Sequence, residues 1–239
     1  ILGINIFLSI YISVEKPNPD LVKLNYQDSL IEPVKDFFNR FGVKIASMLL
    51  LIIATYRLTD IVMGPMANPF YIDMGYSLSE IGYVVKVVAL IATIIGVFVG
   101  GIFIKRFGLY QSLLIGAFLV MITNLLFSYA SIYEKNLALL SCIVASDSLA
   151  AGIVGTVNIT FLTSLVSAKY TGFQYALLTS LMAFLGKVFG GFSGVFVENF
   201  QMLFGFNYGW MSFYIFTSML AIPAIIIILF NKKFFLLQK

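Results

Sequence analysis

The chain has 239 residues, of which 60% are hydrophobic and only 11% are charged. Soluble domains carry about 25% charged and about 45–50% apolar residues, so this composition excludes an ordinary water-soluble domain and predicts a membrane protein. Its net charge of +4 comes from cations placed between hydrophobic runs, which indicates membrane orientation and not nucleic-acid binding. The sequence has one cysteine, Cys142, and no histidine, so we expect no disulfide framework, no metal site and no cofactor.

The first 41 residues divide into two segments. Residues 1–14 are apolar but too short to cross a bilayer, which takes roughly 20 residues. They lack an initiating Met and a basic leader, so we expect the end of a preceding transmembrane helix and not a signal peptide. Residues 15–41 mix charges of both signs with prolines and predict a cytoplasmic loop. Within it, residues 30–41 place apolar side chains on one helical face, which predicts a surface helix against the headgroups.

Six hydrophobic runs follow and predict a six-helix transmembrane bundle over residues 42–231. The runs cover residues 42–66, 79–104, 109–131, 136–166, 172–199 and 209–231. Pro65 and Pro69 predict the end of the first run, and Pro223 predicts a kink in the last. Glycines four residues apart are typical of closely packed membrane helices. They are Gly96 and Gly100 in the second run, and Gly186, Gly190 and Gly194 in the fifth.

Lysine and arginine are distributed unevenly between the two sides of the predicted bundle. One side carries Lys16, Lys23, Lys35, Arg40, Lys44, Lys105, Arg106, Lys169, Lys232, Lys233 and Lys239. The other side carries Lys135 together with Asp73, Glu80, Glu134 and Glu198. The positive-inside rule therefore places the 15–41 loop and the tail, residues 232–239, in the cytoplasm.

Two acids and a neighbouring arginine lie inside apolar runs. Arg57 and Asp60 are three residues apart and share a helical face, with Tyr56 beside them as a further hydrogen-bonding group. Arg57 and Asp60 either reach the membrane–water interface together or form an ion pair that lines a cavity. Asp147 lies near mid-membrane, where a carboxylate can take up and release a proton near neutral pH. Charges at this depth usually face a wet cavity or a partner.

Other polar residues in the runs allow both structural and functional interpretations. Lys86 lies close enough to an interface for its ammonium to reach water, or it serves a site. Lys187 lies at the depth of Asp147 and could pair with it or hold an anionic substrate. Asn158 and Gln174 are candidate sugar-binding groups, although helix–helix hydrogen bonds usually explain such residues. No combination of residues indicates a catalytic centre, so we do not expect an enzyme.

The turn between the second and third runs carries a short motif. Gly101, Lys105, Arg106 and Gly108 occupy the spacing Gly-x-x-x-Lys-Arg-x-Gly. This resembles the Gly-x-x-x-Asp-Arg-x-Gly motif of the major facilitator superfamily, where it belongs to a gating loop. Lys105 replaces the acid of that motif, so a charge relay through this loop is not implied.

Longer stretches resemble the AmpG-type muropeptide permeases of that superfamily, over about residues 45–230. The resembling segments are Tyr56–Asp60, Glu80–Lys86, Ala92–Gly96, Phe173–Leu181 and Gly209–Phe216. The resemblance implies an all-α membrane protein that forms the six-helix C-terminal half of a major facilitator fold. It also implies an N-terminal six-helix half as partner, and location in a bacterial inner membrane with a cytoplasmic C-terminus.

The activity that the resemblance implies is import of anhydro-muropeptides with protons, for cell-wall recycling. Asp60 and Asp147 would carry the proton, and that family has an acid where Asp147 stands. The expected substrate-binding residues are Tyr56, Arg57, Lys86, Asn158, Gln174 and Lys187. The alternatives are a major facilitator transporter for another solute, such as a peptide or an acyl-CoA, and a degraded half-permease that does not transport.

Overall fold

The computed structural model describes residues 26–232, with side chains from residue 30, and within this range the chain forms helices and turns and no strand. The elements are α1 (Tyr26–Tyr56), α2 (Leu58–Asp73), α3 (Leu78–Tyr83), a π-helical turn (Val84–Val88), α4 (Ala89–Ala130), α5 (Leu137–Leu165), α6 (Thr171–Gly191), α7 (Ser193–Phe204), α8 (Phe206–Met219) and α9 (Ile222–Phe230). The predicted all-α membrane class is confirmed. The expected helix end over residues 1–14 lies outside the described residues, as do residues 15–25 and 233–239.

The described chain has five helical stretches long and apolar enough to cross a membrane, where the sequence predicted six. The difference lies in the stretch Leu78–Ala130, whose 53 residues would extend about 80 Å as one straight helix. A hydrocarbon core is only about 30 Å thick. Gly108 interrupts this stretch with φ 79° and ψ 167°, a conformation that L side chains rarely adopt.

Contacts with α5 show that the chain reverses at Gly108. Before it, Gly96 lies against Leu149, and Gly100 lies against Ile153, so the first arm of α4 (residues 89–107) runs parallel to α5. After it, Gly116 lies against Val154 and Thr123 contacts Asp147, so the second arm (residues 109–130) runs antiparallel to α5. The chain therefore crosses the bundle six times between residues 43 and 230. The predicted turn at this position is present, although helical hydrogen bonding continues across it.

The first crossing is longer than its prolines predicted. The helix α2 continues through Pro65 and Pro69 to Asp73, so the expected end near residue 66 is wrong. A missing proline N–H is tolerated in membrane helices because packing against neighbouring helices compensates for it. This crossing bends at Arg57 and runs beside α6 and α7, where Gly186 and Gly190 both contact Ile61. Pro223 lies in the first turn of α9, where a break in the last crossing matches the predicted kink.

Charged residues divide the bundle into two ends. The basic end comprises residues 26–41, the turn at Gly108, residues 166–170 and residues 231–232; the acidic end comprises residues 74–77, 131–136 and Gly205. Each end has its own buried apolar cluster. The basic-end core includes Phe37, Leu49, Leu113, Phe161, Leu165 and Ile228. The acidic-end core includes Phe70, Phe127, Leu140, Trp210 and Tyr214. Polar side chains lie between these cores.

Residues 26–41 form a peripheral helix that packs on the basic end. Gly42, with φ 71° and ψ 154°, separates it from the first crossing. Phe37 is 5% exposed within the basic-end core, while Leu30 and Ile31 are about half exposed. The predicted helix is present, but it packs against the bundle through Phe37 because this face finds an apolar protein surface as well as lipid.

Candidate functional site

A cavity of about 350 Å³ lies between the two cores. Its walls come from α2, the π-helical turn, the start of α4, and α5. The lining residues are Arg57, Asp60, Met63, Gly64, Ala67, Asn68, Tyr71, Val85, Ala89, Val144, Asp147, Ser148 and Ala151. On α2 the lining residues extend from the bend at Arg57 toward the acidic end. On α5 they lie in the half of the helix nearer the acidic end. The cavity therefore extends from the middle of the bundle toward the acidic end.

The bend between α1 and α2 directs an arginine and an acid into this cavity. Arg57 has φ −105° and ψ 8°, which lies outside regular helix geometry. One terminal nitrogen of its guanidinium lies 3.3 Å from an Asp60 carboxylate oxygen. Their side chains are 29% and 18% exposed, respectively. The Nε of Arg57 is buried and has no partner among the described residues, while the side chain as a whole is partly exposed and lines the cavity.

Asp147 reaches the same cavity from α5 without a cationic partner in the described part of the chain. It accepts a hydrogen bond of 2.9 Å from the hydroxyl of Thr123 on the second arm of α4. By the helical rise of about 1.5 Å per residue, it lies about 15 Å from the start of α5. That distance corresponds to the middle of a hydrocarbon core about 30 Å thick. Among the described residues, the side-chain hydrogen-bond donor to the Asp147 carboxylate is therefore the neutral hydroxyl of Thr123.

The described walls of the cavity hold two carboxylic acids and one guanidinium. With both acids ionised, the site would carry one unmatched negative charge, which is costly at membrane depth. Protonation of one acid, or a bound cationic group, removes that cost. Asp60 already has Arg57 beside it, so Asp147 is the acid that gains more from a proton. Arrangements of this kind can couple proton binding to the binding of a polar solute.

The two predicted lysines do not join this cavity. Lys187 is exposed on α6 and makes no ion pair with a described residue, so the pairing with Asp147 that the sequence allowed is absent. Its neighbour Gly186 faces Ile61, and a rotation of about 100° per residue turns Lys187 away from α2. Lys86 is exposed on the π-helical turn, next to the lining residue Val85.

Three other predicted binding residues lie away from the cavity. Tyr56 is 5% exposed and donates a hydrogen bond of 3.2 Å to the carbonyl of Leu113. Asn158 is buried, and its side-chain nitrogen lies 3.3 Å from the sulfur of Met182. Gln174 is buried at the basic end, where it binds the peripheral helix. Helix–helix contacts therefore account for Tyr56 and Gln174, whereas the buried side-chain oxygen of Asn158 has no partner among the described residues.

The predicted gating-loop motif lies at the basic end, where the two arms of α4 meet. Gly108 provides the positive φ of the reversal. Lys105 and Arg106 are exposed, and the Arg106 guanidinium lies 5.6 Å from the centre of the Phe107 ring. A Cβ at Gly101 would meet nothing within 4 Å. The motif thus forms an open basic turn remote from the cavity.

Sequence reasoning missed the neutral polar residues behind the cavity. Thr123 binds Asp147, and the next residue, Asn124, accepts a hydrogen bond of 2.8 Å from Thr217. Tyr71 lines the cavity, and Tyr214 has a buried hydroxyl without a partner among the described residues. The adjacent pair Thr123 and Asn124, in an otherwise apolar run, was the available signal.

Comparisons with known proteins agree with this architecture. A sequence profile described as MFS_1 like family matches residues 8–208. The chain is 32% identical over 206 residues to the "Putative transporter AmpG 4" of Rickettsia felis, covering 86% of this chain and 47% of that protein. It is 32% identical over 196 residues to the "Putative transporter AmpG 1" of Rickettsia prowazekii, covering 81% of this chain and 42% of that protein.

A further relative is the "Anhydromuropeptide permease" of Escherichia coli K12. The identity is 32% over 209 residues, covering 87% of this chain and 40% of that protein. The chain thus spans less than half the length of each of these three relatives.

Proposed function

Because this chain belongs to the MFS_1 like family, we propose that it is the C-terminal half of a permease that imports anhydro-muropeptides together with protons. In this proposal, residues 15–41 connect the two halves, residues 42–231 form the six-helix half, and residues 232–239 are a cytoplasmic tail. Similarity to proteins named as AmpG transporters and as an anhydromuropeptide permease supports the substrate. The partner is an N-terminal six-helix half.

The observation that carries the proposal is the convergence of Arg57, Asp60 and Asp147 on one cavity at mid-membrane depth. Transporters built from two repeats bind their substrates near the bilayer midplane, between the repeats. Asp147 carries the proton, because its hydrogen-bond partner is the neutral Thr123 and it lacks the guanidinium that accompanies Asp60. Arg57 contacts a carboxylate of the peptide stem through the exposed part of its side chain, which lines the cavity.

The distribution of charge supports an orientation in a bacterial inner membrane. The described cations at the basic end are Lys35, Arg40, Lys44, Lys105, Arg106, Lys169 and Lys232. At the acidic end, Lys135 is accompanied by four acids. By the positive-inside rule, the basic end and the C-terminus face the cytoplasm, and the cavity extends toward the periplasm.

Uptake of radiolabelled anhydro-muropeptide by a permease-deficient bacterium that expresses the intact gene tests this function. We expect accumulation that a protonophore abolishes. A set of competing unlabelled solutes, including peptides and acyl-CoA, distinguishes a muropeptide permease from a transporter for another solute. Absence of uptake, with the protein shown to be in the membrane, would contradict the proposal.

A further inference from the structure

Gln174 has every hydrogen-bonding position of its side-chain amide filled. Its oxygen accepts from the backbone N–H of Ser167 at 2.7 Å and from Arg40 at 3.1 Å. Its nitrogen donates to the carbonyl of Pro33 at 2.8 Å and to Asp36 at 3.0 Å. A primary amide offers two donors and two acceptor sites, so Gln174 is saturated. Three of these four bonds join α6 to the peripheral helix.

Arg40 joins the same helix to the end of α5. One guanidinium nitrogen donates to the carbonyl of Leu165 at 2.9 Å, and Nε donates to Asp36 at 3.0 Å. Leu165 is the last residue of α5, where carbonyl groups lack helical partners and the helix dipole is negative. The Arg40 guanidinium at this end donates a hydrogen bond to one of these carbonyl groups and offsets the negative end of the helix dipole. Since α5 also carries Asp147, the guanidinium connects the peripheral helix to a helix of the cavity.

A glycine separates the peripheral helix from the first crossing. Gly42 joins them in an extended conformation with positive φ, and a Cβ there would meet nothing within 4 Å. Besides this junction, the contacts that hold the helix include Phe37, Phe38 and Phe41 against the basic-end core, the bonds of Arg40 and Gln174, and a bond of 3.3 Å from the Tyr170 hydroxyl to Glu32. Gln174 is buried, so its amide would carry a desolvation cost if its bonds to the peripheral helix were lost, whereas the side chains of Arg40 and Asp36 are 31% and 29% exposed.

We propose that Arg40, Asp36 and Gln174 form a latch that holds the basic end closed and so favours the state whose cavity faces the acidic end. The inference rests on the proposed transport function. Opening a path at the basic end requires α5 and α6 to move relative to the peripheral helix, and the latch bonds link these elements. Loss of the latch shifts the equilibrium toward the state open at the basic end.

Alkylation by a membrane-impermeant maleimide in membrane vesicles tests the latch in the intact permease. Cys142 is exposed, so the experiment uses a Cys142→Ser background. Asn68→Cys reports access from the acidic end, because Asn68 lines the cavity. Thr163→Cys reports access from the basic end, because Thr163 is exposed near the end of α5. Right-side-out and inside-out vesicles expose the two probes separately.

The variants are Gln174→Leu and Arg40→Leu, with Lys35→Leu as control. Lys35 is an exposed cation on the same helix and makes no ion pair with a described residue. If latch loss moves the ratio of the two states from about 10:1 to about 1:1, the acidic-end population falls about twofold and the basic-end population rises about fivefold. Labelling of the Asn68→Cys and Thr163→Cys probes should change accordingly, and the Lys35→Leu control should label like its parent.

Opposite changes at the two probes separate a latch from general loosening. Position 68 lies about 35 Å from the latch by helical rise, so a local defect would not slow its labelling. A rise at both probes, or no change in either latch variant, would overturn the proposal. Labelling does not depend on transport. A failed uptake experiment would therefore contradict the proposed function while this result still decides the latch.

Discussion

Replacement of Gly96 by alanine tests how closely the first arm of α4 packs on α5. A Cβ at Gly96 would lie 3.0 Å from the carbonyl carbon of Leu149 and 3.1 Å from the Cα of Gly152, and closer still to the Leu149 oxygen. Carbon atoms normally approach to about 3.5–4.0 Å. The two helices must therefore separate, and they contact each other through backbone atoms that cannot rotate away.

The control is Gly101→Ala, five residues further along the same helix, where a Cβ would meet nothing within 4 Å. Forcing atoms into a packed core costs about 1–3 kcal/mol, and separation also weakens nearby contacts. Alanine in a helix is favoured over glycine by about 1 kcal/mol, so Gly101→Ala should be neutral or stabilising. The propensity gain is common to both variants and cancels, so we expect a difference in unfolding free energy of about 1–3 kcal/mol between them.

The assay is thermal unfolding of the purified protein in detergent, followed by the loss of monodisperse protein on size exclusion. Gly96→Ala should lower the midpoint by several degrees, and Gly101→Ala should leave it unchanged or raise it. Equal midpoints for both variants would refute the close contact between these helices. They would also remove the evidence that the first arm runs parallel to α5.

Two further predictions concern polar side chains between the two cores. Asn124→Leu removes the side-chain acceptor of the Thr217 hydroxyl, leaving it the Tyr214 carbonyl, and should cost about 1–2 kcal/mol. Thermal midpoints of Asn124→Leu, Thr217→Val and the double variant should show that the double loses less than the sum, and strict additivity would contradict the pairing. Arg57→Leu leaves Asp60 without its cation, so the yield of folded protein in detergent should fall, and the added Asp60→Leu change should restore part of it. No recovery in the double variant would argue against this ion pair.

The lengths of the hydrophobic runs in the sequence predicted the membrane crossings well, because the bilayer sets a minimum length for each crossing. The reversal at Gly108 was also predictable, since it follows a basic turn flanked by apolar runs. The continuation of α2 beyond Pro65 was not, because local proline rules ignore the neighbouring helices that support a membrane helix.

The cavity was only partly predictable. The depth of Asp60 and Asp147 in their runs indicated that each faces a cavity or a partner, and both acids line the same cavity. Depth alone does not fix rotation about a helix axis, so Lys187 was a possible partner of Asp147 from the sequence, although its side chain is exposed elsewhere. Gln174 was expected to bind substrate because its partners, Pro33 and Asp36, are about 140 residues earlier in the sequence. Sequence spacing gives no information on contacts of that range.

The central claim is that Asp147 carries the coupled proton. In vesicles containing the intact permease, Asp147→Asn should abolish accumulation driven by a proton gradient and preserve exchange of labelled for unlabelled muropeptide at equilibrium, because exchange needs binding but no net proton movement. Asp73→Asn is the matched control, since Asp73 is an exposed acid outside the cavity lining. Gradient-driven accumulation by Asp147→Asn at the level of the Asp73→Asn control would contradict the account.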